Sequence, residues 1–177
     1  MDSSLMSERV QFTSPRLQLV QMDPSEITRF HAVMSNAEAM QTFDLCRPLS
    51  SEESADHLNR WIDHQQHHGY SPGLIEVAET GDVLGFGGIA WYPGCESTGP
   101  ELVYILMPQW WNRGFASEFA RAAIAFAFQT LQLPKLFATV LPDNAPSIRI
   151  LERVGMTRVE YLKETNRHLY AIESVRP

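Results

Sequence analysis

Apolar residues recur along this chain with two periods, and the switches between them mark its elements. Val10-Gln11-Phe12-Thr13 and Arg16-Leu17-Gln18-Leu19-Val20 alternate like a strand interrupted at Pro15. Asp23-Pro24-Ser25-Glu26 then reads as a helix start, with Asp23 as N-cap, Pro24 at the first helical position and Glu26 closing a capping box. Ile27, Phe30, Val33 and Met34 form the buried stripe of that helix. A second helix begins after Ser50, with Glu53 as its box partner, Ala55, Leu58, Trp61 and Ile62 on its apolar face, and Gly69 at its end. The stretch between them, Asn36 to Leu49, shows no clear period.

Leu74 to Ala78 and Val83 to Trp91 flank the turn residues Thr80-Gly81-Asp82, which predicts a hairpin. A loop rich in Pro, Gly and Ser, Tyr92 to Pro100, leads to a strand from Glu101 to Met107. A long apolar helix from about Gly114 to Leu131 follows, with Phe115, Phe119, Ala122, Ala123 and Phe126 as its core stripe. Next come a strand, Lys135 to Leu141, and a short helix opened by Pro142-Asp143-Asn144 and stopped at Gly155. Thr157 to Leu162 and His168 to Ser174 read as a closing hairpin around Lys163 to Arg167. The β-α-β passage around the long helix requires a crossover, so its two strands are expected parallel. The fold class is therefore α/β (α+β), with a mixed, mostly antiparallel central sheet and helices on both faces. No linker or repeat divides residues 1–177, so one domain is expected, with 1–9 as a flexible extension.

Charge and cysteine usage narrow the function classes. Lys and Arg number 14 against 21 Asp and Glu, a formal net charge of −7, and there is no basic run, which argues against nucleic acid as a partner. The acidic balance favours cationic or amine partners through the long-range field. Cys46 and Cys95 make neither a disulfide framework nor a C-x-x-C pair. No stretch approaches the roughly 20 apolar residues of a membrane span, and the polar start lacks a secretory core. The expectation is a cytoplasmic protein with no membrane partner, and a homodimer is the default for soluble assemblies.

The segment with chemical content is Pro108-Gln109-Trp110-Trp111-Asn112-Arg113-Gly114-Phe115-Ala116-Ser117-Glu118, between a strand and the long helix. Gly114, Ala116 and Ser117 let backbone N–H groups converge at a helix N-terminus, which suits a phosphate or pyrophosphate, and Arg113 adds a full charge. Neither a G-x-x-x-x-G-K-[ST] loop nor a G-x-G-x-x-G fingerprint is present. Gly85, Gly87 and Gly88 lie inside a strand pattern and are read as close-packing positions.

Trp111 to Ala116 resembles the Q/R-x-x-G-x-G/A acyl-CoA loop of the GNAT superfamily of N-acetyltransferases. The flanking Glu101 to Leu106 and Ser117-Glu118 look like its RimJ/RimL-type branch. Asn144 to Met156 is similar to that branch's N-x-x-S-x-x-x-x-E-[KR]-x-G-[FM] segment, and Thr13 to Leu19 to its T-x-R-L-x-L entry strand with Pro15 inserted. The resemblance spans roughly residues 10–174. It departs at Asn112, where the family loop usually has Gly.

The resemblance implies acetyl transfer from acetyl-CoA, as co-substrate and without a metal, to a primary amine of a small molecule or a protein N-terminus. It also implies a cofactor cleft where a splayed parallel pair, Glu101 to Met107 and Lys135 to Leu141, opens. Backbone groups around Ile105, Leu106 and Met107 would pair with pantetheine. The amides of Asn112, Arg113, Gly114, Phe115, Ala116 and Ser117 would hold the pyrophosphate. Glu101 is the candidate base; its alternative is a solvated strand-end carboxylate. Asn144 matches the asparagine that contacts pantetheine and is equally a helix N-cap. Ser147 matches the serine that would protonate or hydrogen-bond the leaving sulfur, or is simply a first-turn serine. Tyr104 points into the acceptor cleft or packs in the core, with packing favoured. The acceptor pocket would be lined by Asn36 to Leu49, the Tyr92 to Pro100 loop and the closing hairpin.

Two rival readings stand beside this one. His64, His67 and His68 sit at helical spacing where two could share a metal, although a solvated helix end fits that spacing better. The same fold could also serve as a non-catalytic acyl-CoA-binding or protein-interaction module.

Overall fold

The computed structural model describes residues 9–43, 46–92 and 99–174. The strands are β1 (Val10–Thr13), β2 (Leu17–Val20), β3 (Gly73–Val77), β4 (Val83–Ala90), β5 (Glu101–Leu106), β6 (Lys135–Val140), β7 (Thr157–Leu162) and β8 (Arg167–Glu173). The helices are α1 (Ile27–Met34), α2 (Ala37–Met40), α3 (Ser51–His68), α4 (Phe115–Ala125) and α5 (Ala145–Arg153). All strands join one sheet in the order β1-β2-β3-β4-β5-β6-β8-β7. Every neighbouring pair is antiparallel except β5 and β6, which are parallel. The mixed, mostly antiparallel sheet is thus as expected.

Two apolar cores lie on opposite faces of the sheet. Leu19, Ile75, Leu102, Leu106 and Leu136 pack with Phe115, Phe119 and Ala123 of α4 and Leu151 of α5. Leu74, Phe86 and Ile105 pack with Phe30, Val33 and Met34 of α1, Met40 of α2 and Leu58 of α3. Adjacent residues such as Leu74 and Ile75 serve different cores because strand side chains alternate sides. Leu84 and Phe86 are two apart yet also serve different cores. The pairing steps from Ile75–Gly85 to Glu76–Val83, so Leu84 is the extra residue of a bulge and is turned to the other face.

The first segment departs from expectation. Residues 10–20 form a hairpin, with Val10 opposite Val20 and Thr13 opposite Gln18. Pro15 occupies its turn, so one interrupted strand is replaced by two. Asp23 does cap, accepting from Ser25 N–H at 2.7 Å, but Glu26 closes no capping box. Its carboxylate is buried and meets Arg9 and Arg29, each at 3.0 Å. A nearby pair of cations outcompetes one backbone amide for that carboxylate.

The Ser50–Glu53 capping box of α3 is complete, and the helix ends at Gly69. The aperiodic stretch after α1 holds the four-residue α2, capped by Asn36 through Ala39 N–H. The long helix begins at Phe115 and its last turn, Phe126–Thr130, widens to a π-helix. Gly85, Gly87 and Gly88 are close-approach positions. A Cβ would come within 2.0 Å of Ile105 O at the first, 2.7 Å of Val103 O at the second and 2.6 Å of Pro72 Cα at the third.

Candidate active site

β5 and β6 are paired only at Glu101–Phe137 among the described residues. Beyond that pair they diverge, and the gap is the feature around which the candidate residues gather. Strand alternation sorts the side chains along it. Leu102 and Leu106 belong to the α4–α5 core and Ile105 to the α1–α3 core. Tyr104 therefore faces α4, where it meets Phe119 edge-on at 6.4 Å between ring centroids. Glu101 and Val103 face the α1–α3 side. On β6, Leu136, Ala138 and Val140 enter the α4–α5 core, which leaves Phe137 and Thr139 on the side of Glu101.

Glu101 is only 5% exposed, not a solvated strand end. Burial pushes its carboxyl above the ordinary range, tempered by a hydrogen bond from Thr139 and by the charge of Arg167. On the opposite side, Ser147 lies in the first turn of α5, where Asn144 Oδ1 accepts its N–H at 3.2 Å. Asn144 thus acts as the N-cap that the sequence suggested. Beside Ser147 sits the Tyr104 hydroxyl, pushed up to about 12 by burial, with Ser147 tempering the rise. That hydroxyl is buried and completes no hydrogen bond of good geometry. Packing is thus the outcome for Tyr104, with its polar end beside the gap.

The peptide groups of β5 are divided between the two edges. Met107 N–H donates to Leu84 O at 2.8 Å, so the odd-numbered residues of β5 turn toward β4 and the even-numbered ones toward the gap. Of Ile105, Leu106 and Met107, only Leu106 offers its amide to the cleft. The Met107 N–H goes to Leu84 O and its carbonyl accepts Trp110 N–H at 3.0 Å, while the Ile105–Phe86 pairing turns the Ile105 peptide groups to β4, so neither residue presents these groups to the gap, unlike the expectation. The Leu106 carbonyl accepts Trp111 Nε1–H at 2.7 Å.

The loop that follows has the geometry of an anion nest. Asn112 and Gly114 are both left-handed, at φ 58° and φ 79°, on either side of Arg113. Such alternation makes successive N–H groups converge. Asparagine tolerates this region, so the departure from the usual glycine leaves the loop shape intact. Gly114 is the N-cap of α4, and no side chain caps that terminus. The first intrahelical bond runs from Glu118 N–H to Gly114 O at 3.1 Å, so the amides of Phe115, Ala116 and Ser117 precede it and have no helical acceptor. The nest, the uncapped helix end and the Arg113 guanidinium, 5.4 Å over the Trp110 ring, fit a pyrophosphate. The Phe115 side chain itself is in the core; only its amide joins the nest.

His64 is excluded as a metal ligand by its bonds. Trp91 N–H donates to its Nε2 at 2.8 Å, and its Nδ1 lies 2.8 Å from Tyr70 O. Both nitrogens are taken by backbone, which assigns the neutral Nδ1–H form. Of the segments expected to line the acceptor pocket, residues 44–45 and 93–98, with Cys95, lie outside the described residues, as does most of the 1–9 extension. No helix among the described residues is long and apolar enough to cross a membrane.

The acetyltransferase (GNAT) domain model matches residues 16–157, and the chain belongs to that family. The Bacillus subtilis protein YkkB is 25% identical over 172 residues, covering 95% of this chain and 97% of its own length. RimL, a ribosomal L7/L12 alpha-N-protein acetyltransferase solved in complex with coenzyme A, superposes with a TM-score of 0.77 at 20% identity, over 93% of this chain and 97% of its own. The spermidine N-acetyltransferase of Vibrio cholerae, solved with CoA and spermine, gives 0.73 at 18% identity, over 90% and 96%. At these identities the two structures establish the shared fold.

Proposed function

We propose that this chain acts as one acetyltransferase domain of the RimJ/RimL type, moving the acetyl group of acetyl-CoA to a primary amine in the cytoplasm. The observation that carries the reading is the splayed β5–β6 pair, with the anion nest beyond the end of β5 and a buried carboxylate at its start. Asn112 to Ser117 would hold the pyrophosphate, while Leu106 N–H and Asn144 would bind the pantetheine arm. Acetyl-CoA supplies the activated acyl group as a thioester.

Glu101 would do the proton work. An alkyl ammonium has a pKa of about 10.4 and must lose a proton before it can attack. A carboxylate whose pKa burial has raised is a stronger base than an exposed one, and hence closer to what the task requires. Glu101 would take that proton, directly or through a water, before attack. As the neutral amine nitrogen then bonds to the acetyl carbon and the carbon–sulfur bond breaks, the second nitrogen proton would pass to the departing thiolate, leaving the amide and free CoA. Ser147, on the other side of the gap, would donate a hydrogen bond to the departing sulfur.

The acceptor is an amine, and the net charge of −7 favours a cationic one. RimL acts on a ribosomal protein and the Vibrio cholerae enzyme on spermidine, so both kinds belong in the assay. Free CoA release is measured with acetyl-CoA against spermidine, spermine, amino acids and serine-initiated peptides. Release with at least one amine is expected. No release with any of them, together with no thermal shift by acetyl-CoA, would overturn the reading.

A further inference from the structure

Arg16 lies in the Pro15 turn just before β2, 102 positions before Glu118 in the first turn of α4, yet the two side chains are locked together. Arg16 Nε donates to Glu118 Oε2 at 2.7 Å, and Nη2 lies 2.6 Å from the same oxygen. The other oxygen, Oε1, accepts the Arg16 backbone N–H at 2.9 Å and the Ser14 hydroxyl at 2.8 Å. The remaining arm, Nη1, donates to Arg113 O at 3.2 Å, and the guanidinium carbon rests 4.3 Å from the Phe115 ring centroid. One side chain therefore touches the nest loop, the first turn of α4 and the residue between them.

Two consequences bear on anion binding. In a trans peptide the carbonyl oxygen and the following N–H point in opposite directions. Fixing Arg113 O toward Arg16 thereby aims the Gly114 N–H away from it, to the open side of the nest. Glu118, moreover, places a negative charge in the helix turn whose positive end the pyrophosphate would use. Two guanidinium nitrogens on one carboxylate oxygen offset that charge and keep the carboxylate turned to the Ser14–Arg16 turn.

We propose that Arg16 is a positioning residue for the pyrophosphate of acetyl-CoA, acting through Arg113 and Glu118 on the amides of the nest. This rests on the acetyl-CoA reading above. It also gives a physical reason for two motifs to occur together: the entry-strand arginine and the helix-turn glutamate are the two halves of one clamp.

The test compares acetyl-CoA with S-acetylpantetheine, which has the same thioester arm and no pyrophosphate, by titration calorimetry. For Arg16→Ala the Kd for acetyl-CoA is expected to rise about tenfold or more, while S-acetylpantetheine binds as it does to the unaltered chain. Arg16→Lys keeps the charge and loses the fork, so its acetyl-CoA affinity is expected between the two. Equal weakening of both ligands would mean a general structural role and would overturn the proposal, as would unchanged acetyl-CoA binding. Failure of the unaltered chain to bind acetyl-CoA would overturn the acetyltransferase reading and this inference with it; normal binding by that chain and by Arg16→Ala alike would overturn the inference alone.

Discussion

Thr139, on β6, donates a 3.3 Å hydrogen bond to Oε2 of Glu101, at the start of β5. The bond crosses between the two parallel strands close to the Glu101–Phe137 pair, where they last meet before diverging. It ties the candidate base to the opposite wall of the gap and opposes the rise that burial imposes on its pKa.

Glu101→Gln is expected to lower kcat by about 10²- to 10⁴-fold, the usual share of general base catalysis, with little change in acetyl-CoA Kd. Steady-state kinetics beside calorimetry checks this. Unchanged kcat would remove Glu101 from the mechanism.

A pH profile tests the environment of that carboxylate. Because its pKa is raised, the acid limb of kcat/KM should lie above the ordinary carboxylate range, activity being lost as pH falls through it. Removing the hydrogen bond that favours the charged form, by Thr139→Val, should move the limb to still higher pH. A limb that stays in place would mean that another group controls it.

Gly114 adopts φ 79°, where a side chain costs about 1–2 kcal/mol. Gly114→Val should lower the melting temperature and weaken acetyl-CoA binding together. Asn112→Gly, which keeps the left-handed geometry available, should leave binding within about twofold, a free-energy change of about 0.4 kcal/mol. Strong loss in Asn112→Gly would show that the asparagine side chain itself contacts the ligand.

His64 is held neutral, its pKa lowered chiefly by burial and further by the charges of His68 and His67, against the raising effect of its bond to Tyr70 O. The unfolded chain then binds this proton more readily than the folded one, so stability rises with pH across the interval between their pKa values. The stability from neutral His64 is complete above about pH 6.5 and is lost as pH falls through the depressed folded value. Denaturation at pH 7.5 and pH 5 should show the difference, and His64→Leu should reduce it. The same change removes the acceptor of Trp91 N–H and should cost about 1–3 kcal/mol at neutral pH.

Tyr104 buries a hydroxyl that completes no good hydrogen bond. Tyr104→Phe is therefore expected to hold or raise the melting temperature, since an unmade buried bond costs about 1–3 kcal/mol. A clear fall would show that Ser147 bonds to the hydroxyl more fully than the geometry indicates.

Local chemistry made most elements legible. Period-two runs, the Ser50–Glu53 box, the Thr80-Gly81-Asp82 turn and the stop at Gly155 are short-range signals, and the strands and helices follow them. The readings that failed were those in which a distant group competes for a local one. Glu26 has the spacing of a box partner but binds Arg9 and Arg29. Met107 has an amide suited to a ligand but gives it to Leu84.

Sequence by itself determined the strand and helix order, the two-faced distribution of apolar residues and the glycine-bearing loop at the start of α4, because each depends on residues a few positions apart. Tertiary structure alone decided that Glu101 is buried rather than solvated, that Tyr104 and Ser147 meet across from it, and that Arg16 reaches a helix 102 residues away. Those relations depend on strand pairing and on which face each side chain enters. Pairing and facing are properties of the assembled sheet, and no window of sequence contains them.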